Sequence, residues 1–177
     1  SRWADRTTIG AYGEMLYNNE TSSSSTKELD VQRFVIFLNH EFNDSLRFSS
    51  ELEVEHSFIS DDARSPGAVE LEQAYLEWDY ANNHSVLAGM HLVPIGIMNE
   101  THEPNTFYGV ERNRIESRII PTTYRVNGIK FAGQLGQGFS YDVGIHEGLF
   151  FESGNGGELA IRDSRQSGAR SEMDALG

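Results

Sequence analysis

Leu46-Arg47-Phe48-Ser49-Ser50-Glu51-Leu52-Glu53-Val54-Glu55-His56 is the stretch on which the fold turns. Leu46, Phe48, Leu52 and Val54 share one parity with Ser50 and His56, while Arg47, Ser49, Glu51, Glu53 and Glu55 hold the other. A period of two gives a pleated strand one apolar face and one charged face. A helix would scatter both sets around its axis.

The same alternation recurs on both sides of this stretch. Phe34, Ile36 and Leu38 alternate with Arg33, Val35, Phe37 and Asn39, and Ala74, Leu76, Trp78 and Tyr80 with Gln73, Tyr75, Glu77 and Asp79. Val86, Ala88, Met90 and Leu92 alternate with Leu87, Gly89, His91 and Val93, and Tyr141, Val143 and Ile145 with Asp142, Gly144 and His146. Fainter runs cover 8–17 and 122–133. The pattern predicts an all-β chain with seven strands over 8–17, 28–42, 46–56, 69–80, 85–93, 122–133 and 139–148. Most are about ten residues long, more than the five or six usual in soluble sheets and close to what a tilted strand needs to cross a bilayer. A helix over 164–176 is disfavoured by Gly168 and the lack of an apolar stripe.

The connections alternate between short (43–45, 81–84, 134–138) and long (18–27, 57–68, 94–121 and everything after 149). One rim is therefore trimmed and the other decorated, the asymmetry of transmembrane β-barrels. Parity alone leaves two orientations open. In a soluble barrel or sandwich the apolar set faces a dry core; in a membrane barrel Phe34, Ile36, Leu38, Phe48, Leu52, Val54, Leu76 and Trp78 face lipid and the charged set borders water. Phe42, Trp78, Tyr80, Phe139 and Tyr141 all lie near the short turns, as an interfacial aromatic belt requires, although strands are rich in aromatics anyway. Seven strands cannot close a bacterial barrel, which has an even number. The expectation is therefore the N-terminal half, about seven or eight strands, of a larger barrel, with an eighth strand in 156–162 as the alternative.

Composition narrows the function. The 177 residues carry 14 Lys and Arg against 27 Asp and Glu, a formal charge of −13, which disfavours nucleic acid as a partner. The absence of Cys removes disulfides, thiolate zinc sites and Cys nucleophiles. No run approaches the roughly 20 apolar residues of a helical span. Ser1-Arg2-Trp3 does not look like a natural start, so a processed form or a piece of a longer chain is expected.

One block goes further. Ala88-Gly89-Met90-His91-Leu92-Val93-Pro94-Ile95-Gly96, the stretch from Asn99-Glu100-Thr101-His102-Glu103-Pro104 through Thr106 to Glu111-Arg112, and Ile119-Ile120-Pro121-Thr122-Thr123 together resemble bacterial outer-membrane porins of the phosphate-selective porin O and P group. The hairpin around Asn43-Asp44 and the strand ending in His146-Glu147-Gly148-Leu149 are similar as well. The resemblance implies a 16-stranded barrel assembling as a homotrimer in the outer membrane, in contact with lipid and lipopolysaccharide. It implies that 94–121 folds inward as a pore-constricting loop carrying Glu100, His102, Glu103, Glu111, Arg112, Arg114, Glu116 and Arg118, and that 149–177 is a mid-barrel loop.

The pore-lining residues expected from parity are Arg33, Arg47, Glu51, Glu53, Glu55, Glu77, Asp79 and Asp142. Six acids against two bases depart from the cationic ladders that phosphate selectivity needs, so a weakly cation-preferring or unselective diffusion pore is expected, passing small solutes or ions. No enzyme activity, cofactor or metal is called for. The six His are scattered, His102-Glu103 lacks a second His at helical spacing, the run 22–25 is a loop tip, and the Gly-rich stretches lie at turns. Asp61-Asp62 with Glu55 could hold Ca²⁺, a solvated acidic loop being the plainer reading. Two other classes stay open: a soluble β-barrel or sandwich binding module, and a non-conducting eight-stranded membrane barrel.

Overall fold

A computed structural model describes residues 2–19, 27–56, 67–149 and 164–166. After a short 3₁₀ turn at Trp3–Arg6 come seven strands: β1 (Thr7–Asn19), β2 (Lys27–Glu41), β3 (Leu46–Glu55), β4 (Val69–Ala81), β5 (His84–Leu92), β6 (Arg125–Gly136) and β7 (Phe139–His146). They form one antiparallel sheet in chain order, with β1 and β7 at its open edges. The only α-helix among the described residues is one turn, α1 (Ile115–Arg118), and no helix is long and apolar enough to cross a membrane. The expected all-β class and all seven expected strands are present.

A meander in chain order puts alternate connections on opposite rims. One rim carries tight turns held by local chemistry. The Asn43 side chain accepts hydrogen bonds from the Ser45 and Leu46 backbone amides, both at 2.9 Å. Asn83 takes a left-handed φ of 60° between β4 and β5, and Gln137 and Gly138, at 55° and 84°, turn β6 into β7. The other rim carries the end of β1 and start of β2, the end of β3 and start of β4, and the long segment 93–124 between β5 and β6. β6 starts at Arg125 rather than at 122 because Thr123 is left-handed (φ 48°) and Asn99 occupies the Tyr124 backbone, accepting from its amide at 2.7 Å and donating to its carbonyl at 2.9 Å. Asp61-Asp62, the alternative eighth strand over 156–162, the 22–25 run and nearly all of the 149–177 loop lie outside the described residues.

The two faces of the sheet are unlike. One is bare and apolar: Phe34, Leu52, Leu71, Leu76, Ile129, Phe131 and Val143 are exposed, Trp78 is 51% exposed and Ile145 64%. The other is charged and covered by 93–124, leaving Glu51 at 1% and Glu53 and Glu72 at 2%. A small apolar core of Val35, Leu87, Leu92, Met98, Tyr124 and Val126 is buried with those charges.

On the bare face, aromatics gather toward the short-turn rim. Trp3 stacks on His40 at 4.9 Å and Phe42 meets His40 edge-on at 4.8 Å. Tyr80 and His84 flank Tyr141, whose hydroxyl lies 3.0 Å from the Tyr80 hydroxyl and 3.0 Å from His84 Nδ1. Gly133 makes room for this cluster, since a Cβ there would stand 2.8 Å from the Tyr141 ring.

Candidate functional site: the charged face and its inserted segment

β3 and β4 supply most of the site through one irregularity. Glu51 faces Gln73, but the next residue, Leu52, faces Leu71, so Glu72 is an extra residue in β4. Such a bulge re-aims side chains. Here it turns Glu72 and Gln73 to the same face: the Gln73 amide donates to Glu51 Oε2 at 2.7 Å, and Glu72 Oε2 lies 3.2 Å from His102 Nε2. Strict parity assigns Glu72 to the apolar set, so sequence reasoning missed it. The only local signal was that Leu71 and Ala74, both apolar, lie three apart, off the period of two.

All eight residues expected to line the pore belong to the charged face, and most are paired there. Arg47 donates from Nε to Glu77 at 2.9 Å and grips Asp79 through both terminal nitrogens at 2.7 and 3.0 Å. Arg33 lies 2.8 Å from Glu14 and 3.2 Å from Glu53, and Glu55 is half-buried beside them on β3. Asp142 is 3.4 Å from Lys130. Four charged groups were not expected here besides Glu72: Glu14, Lys130, and the pair Glu70–Arg125 at 2.6 Å. Acids remain in excess over bases on this face among the described residues.

The segment 93–124 is a built structure. The Asn99 side chain ties its two ends together, donating to the Val93 and Tyr124 carbonyls at 2.7 and 2.9 Å. Gly96, at φ 70°, lets the Glu116 carboxylate approach: a Cβ there would stand 2.5 Å from it, and Glu116 accepts the Ile97 amide at 3.0 Å. Arg112 lies 5.6 Å over the Phe107 ring and donates to the His102 carbonyl at 3.2 Å. Glu100 reaches across to Lys130 at 3.6 Å. Of the eight charged residues expected in a constricting loop, His102 and Glu116 are buried, Glu103 and Arg112 half-buried, and Glu100, Glu111, Arg114 and Arg118 exposed. Glu116 serves the segment's own backbone and offers no charge to a passing solute.

His102 fastens the segment to the sheet. Its Nε2 is 3.2 Å from Glu72 and 3.7 Å from Glu51, in a site that leaves it 1% exposed. Burial by itself would drive the imidazole neutral, but the flanking carboxylates of Glu51 and Glu72 outweigh it and hold His102 up to about 9. At neutral pH it is an imidazolium between two carboxylates. Between the segment and β4, β5 and β6 lies a cavity of about 250 Å³ lined by Gln73, Tyr75, His91, Glu100 and Lys130. The arrangement is a sheet face of fixed charge covered by an anchored segment.

No family model matches the chain. It is similar to an uncharacterised protein of Aquifex aeolicus (strain VF5), 36% identical over 169 residues, an alignment covering 95% of this chain. The chain spans 38% of the length of that relative.

Proposed function

We propose that the chain is part of an outer-membrane diffusion pore that passes small hydrophilic solutes or ions, with a weak preference for cations or none. The observation that carries this reading is the inversion of the sheet: its bare face is apolar and its covered face charged. A sheet in water has those faces the other way round. In an outer membrane, acyl chains and lipopolysaccharide meet the bare face, the aromatics near the short turns sit at headgroup depth, and the acidic face borders an aqueous lumen. Six of the seven strands, at 9 to 15 residues, are as long as the roughly 9–11 residues a tilted strand needs to span.

Open edges are intolerable in lipid, so β1 and β7 require further strands. The Aquifex relative, of which 169 residues are 38%, runs to about 445 residues. That length is enough for a closed barrel within the known range of strand numbers. The resemblance to the porin O and P group supplies the sixteen strands and the homotrimer. The excess of acids on the lumen face supports cation preference rather than phosphate selectivity. The 93–124 segment is then the constriction, and the reading involves no cofactor and no turnover.

The test is a planar-bilayer recording of the full-length protein. Stepwise conductance with a reversal potential at or slightly toward the cation side is expected. Anion preference overturns the selectivity. Heat-modifiable mobility without conductance favours a non-conducting membrane barrel, and a monodisperse protein without detergent favours a soluble binding module.

A further inference from the structure

We propose that Glu51, Glu72 and His102 form a binding site for one divalent first-row transition ion, zinc being the natural probe. The site stands apart from the pore reading, since it depends only on the junction between β3, β4 and the 93–124 segment. The three side chains, all buried, bring one ligand atom each to within 4.8 Å of one another. His102 Nε2 is already 3.2 Å from Glu72 Oε2 and 3.7 Å from Glu51 Oε1. Ligand atoms around a tetrahedral zinc with bonds of 2.0–2.1 Å sit about 3.3 Å apart, so small side-chain shifts complete the geometry.

A second observation points to a ligand rather than to an ion pair alone. Glu51 is 1% exposed, and its Oε1, aimed at the imidazole, accepts no hydrogen bond among the described residues. At 3.7 Å the His102 imidazolium gives that oxygen an opposite charge but no hydrogen bond, and a cation at coordination distance satisfies it directly. The other oxygen is held in place by the Gln73 amide at 2.7 Å, the kind of outer support that orients a ligating carboxylate. Gln73 also lines the 250 Å³ cavity. One nitrogen and two carboxylate oxygens suit zinc, manganese, iron or cobalt better than the all-oxygen preference of calcium or magnesium. On binding, the ion takes the place of the Nε2 proton, which leaves to solvent. It thereby couples the segment to two strands at once.

The experiment measures zinc binding to the full-length protein folded in detergent, by equilibrium dialysis and calorimetry, with Co²⁺ as a spectroscopic substitute. One tight equivalent of zinc is expected, along with visible Co²⁺ absorption of a four- or five-coordinate site. Glu72→Gln and His102→Ala should each weaken binding at least about tenfold, while His56→Gln, at an exposed His outside the cluster, should leave it unchanged. Folding of each variant is checked by heat-modifiable mobility. If His102→Ala does not fold, Glu51→Gln, which keeps the side chain's shape, carries the same expectation. Equal zinc affinity in the wild type and in the Glu51 and Glu72 variants would overturn the site. Because no conductance enters these readouts, a non-conducting protein that binds zinc refutes the pore alone, and a conducting one that does not refutes the metal site alone.

Discussion

On β3, Leu52 stands 38% exposed while Glu51 and Glu53, its neighbours on either side, are 1% and 2% exposed. The backbone is shared, so the difference lies in what each face meets. The charged face meets protein: an insert of 32 residues (93–124) whose own hydrogen bonds hold its shape and whose His102 docks on two carboxylates. Among the described residues the apolar face meets none, yet it is continuous from Ile9 on β1 to Ile145 on β7. Apolar side chains at roughly 25 cal/mol per Å² have no reason to line a water-facing surface in rows. The lesson is that covering and hydrophobicity have been uncoupled here: the covered side is organised by ion pairs and the uncovered side by its surroundings.

That contrast can be broken most forcefully at the junction. His102→Ala leaves Glu51 and Glu72 buried without their cation, and removing one partner of a buried pair costs about 3–5 kcal/mol. The 93–124 segment is expected to undock, seen as a large rise in amide exchange over that segment and, in the proposed pore, as a wider, noisier conductance. Unchanged exchange would mean that Asn99 and Glu116 hold the segment without it. The next largest effect belongs to the opposite face. Leu76→Lys, mid-strand on β4 and exposed, should destabilise the protein in vesicles by about 2–4 kcal/mol, as a cation in the middle of a bilayer does. Were that face in water, the same change would fall within about 0.5 kcal/mol. Denaturant unfolding from vesicles distinguishes the two.

The fold was legible because strands that separate two environments must alternate, and this chain does so with little interruption on β2, β3 and β5. The rims were legible for a related reason: Asn43-Asp44, Asn82-Asn83 and Gln137-Gly138 are residues that tight turns demand. What parity could not say was which set is covered, because the pattern is the same either way round. It also failed wherever the pleat slips. Glu72 was hidden by a one-residue bulge, and Arg125 because it shares the parity of Ile129 and Phe131, both exposed on the apolar face. His102 was legible as part of a loop and illegible as a partner of Glu72, thirty residues away in the chain and on another element. Such contacts depend on how the insert folds back, for which local sequence carries no period.

Two smaller changes sharpen the comparison. Asn99→Ala removes three hydrogen bonds at the base of the insert and leaves the Tyr124 amide without its acceptor, in a buried setting. A loss of about 1–3 kcal/mol is expected, again with faster exchange over 93–124 but without the charge defect of His102→Ala. The ion selectivity should therefore hold while the conductance noise rises. A shift in selectivity would show that insert position, more than wall charge, sets the selectivity of the proposed pore.

The smallest effect lies in the aromatic cluster on the bare face. Gly133→Ala would set a methyl 2.8 Å from the Tyr141 ring and 2.2 Å from His84 Nδ1 if nothing moved. Both obstacles are the far ends of side chains, so they swing aside, and the cost is about 1 kcal/mol of overpacking and lost contact with Tyr80. Because this cluster lies on the side away from the insert, unfolding from vesicles should begin at slightly lower denaturant while conductance and reversal potential stay as in the wild type. The outcome separates the faces in the direction opposite to His102→Ala, which moves conductance most. A Gly133→Ala protein with altered selectivity would mean that the two faces are mechanically coupled through β5 and β6, and that the sheet between them yields rather than divides.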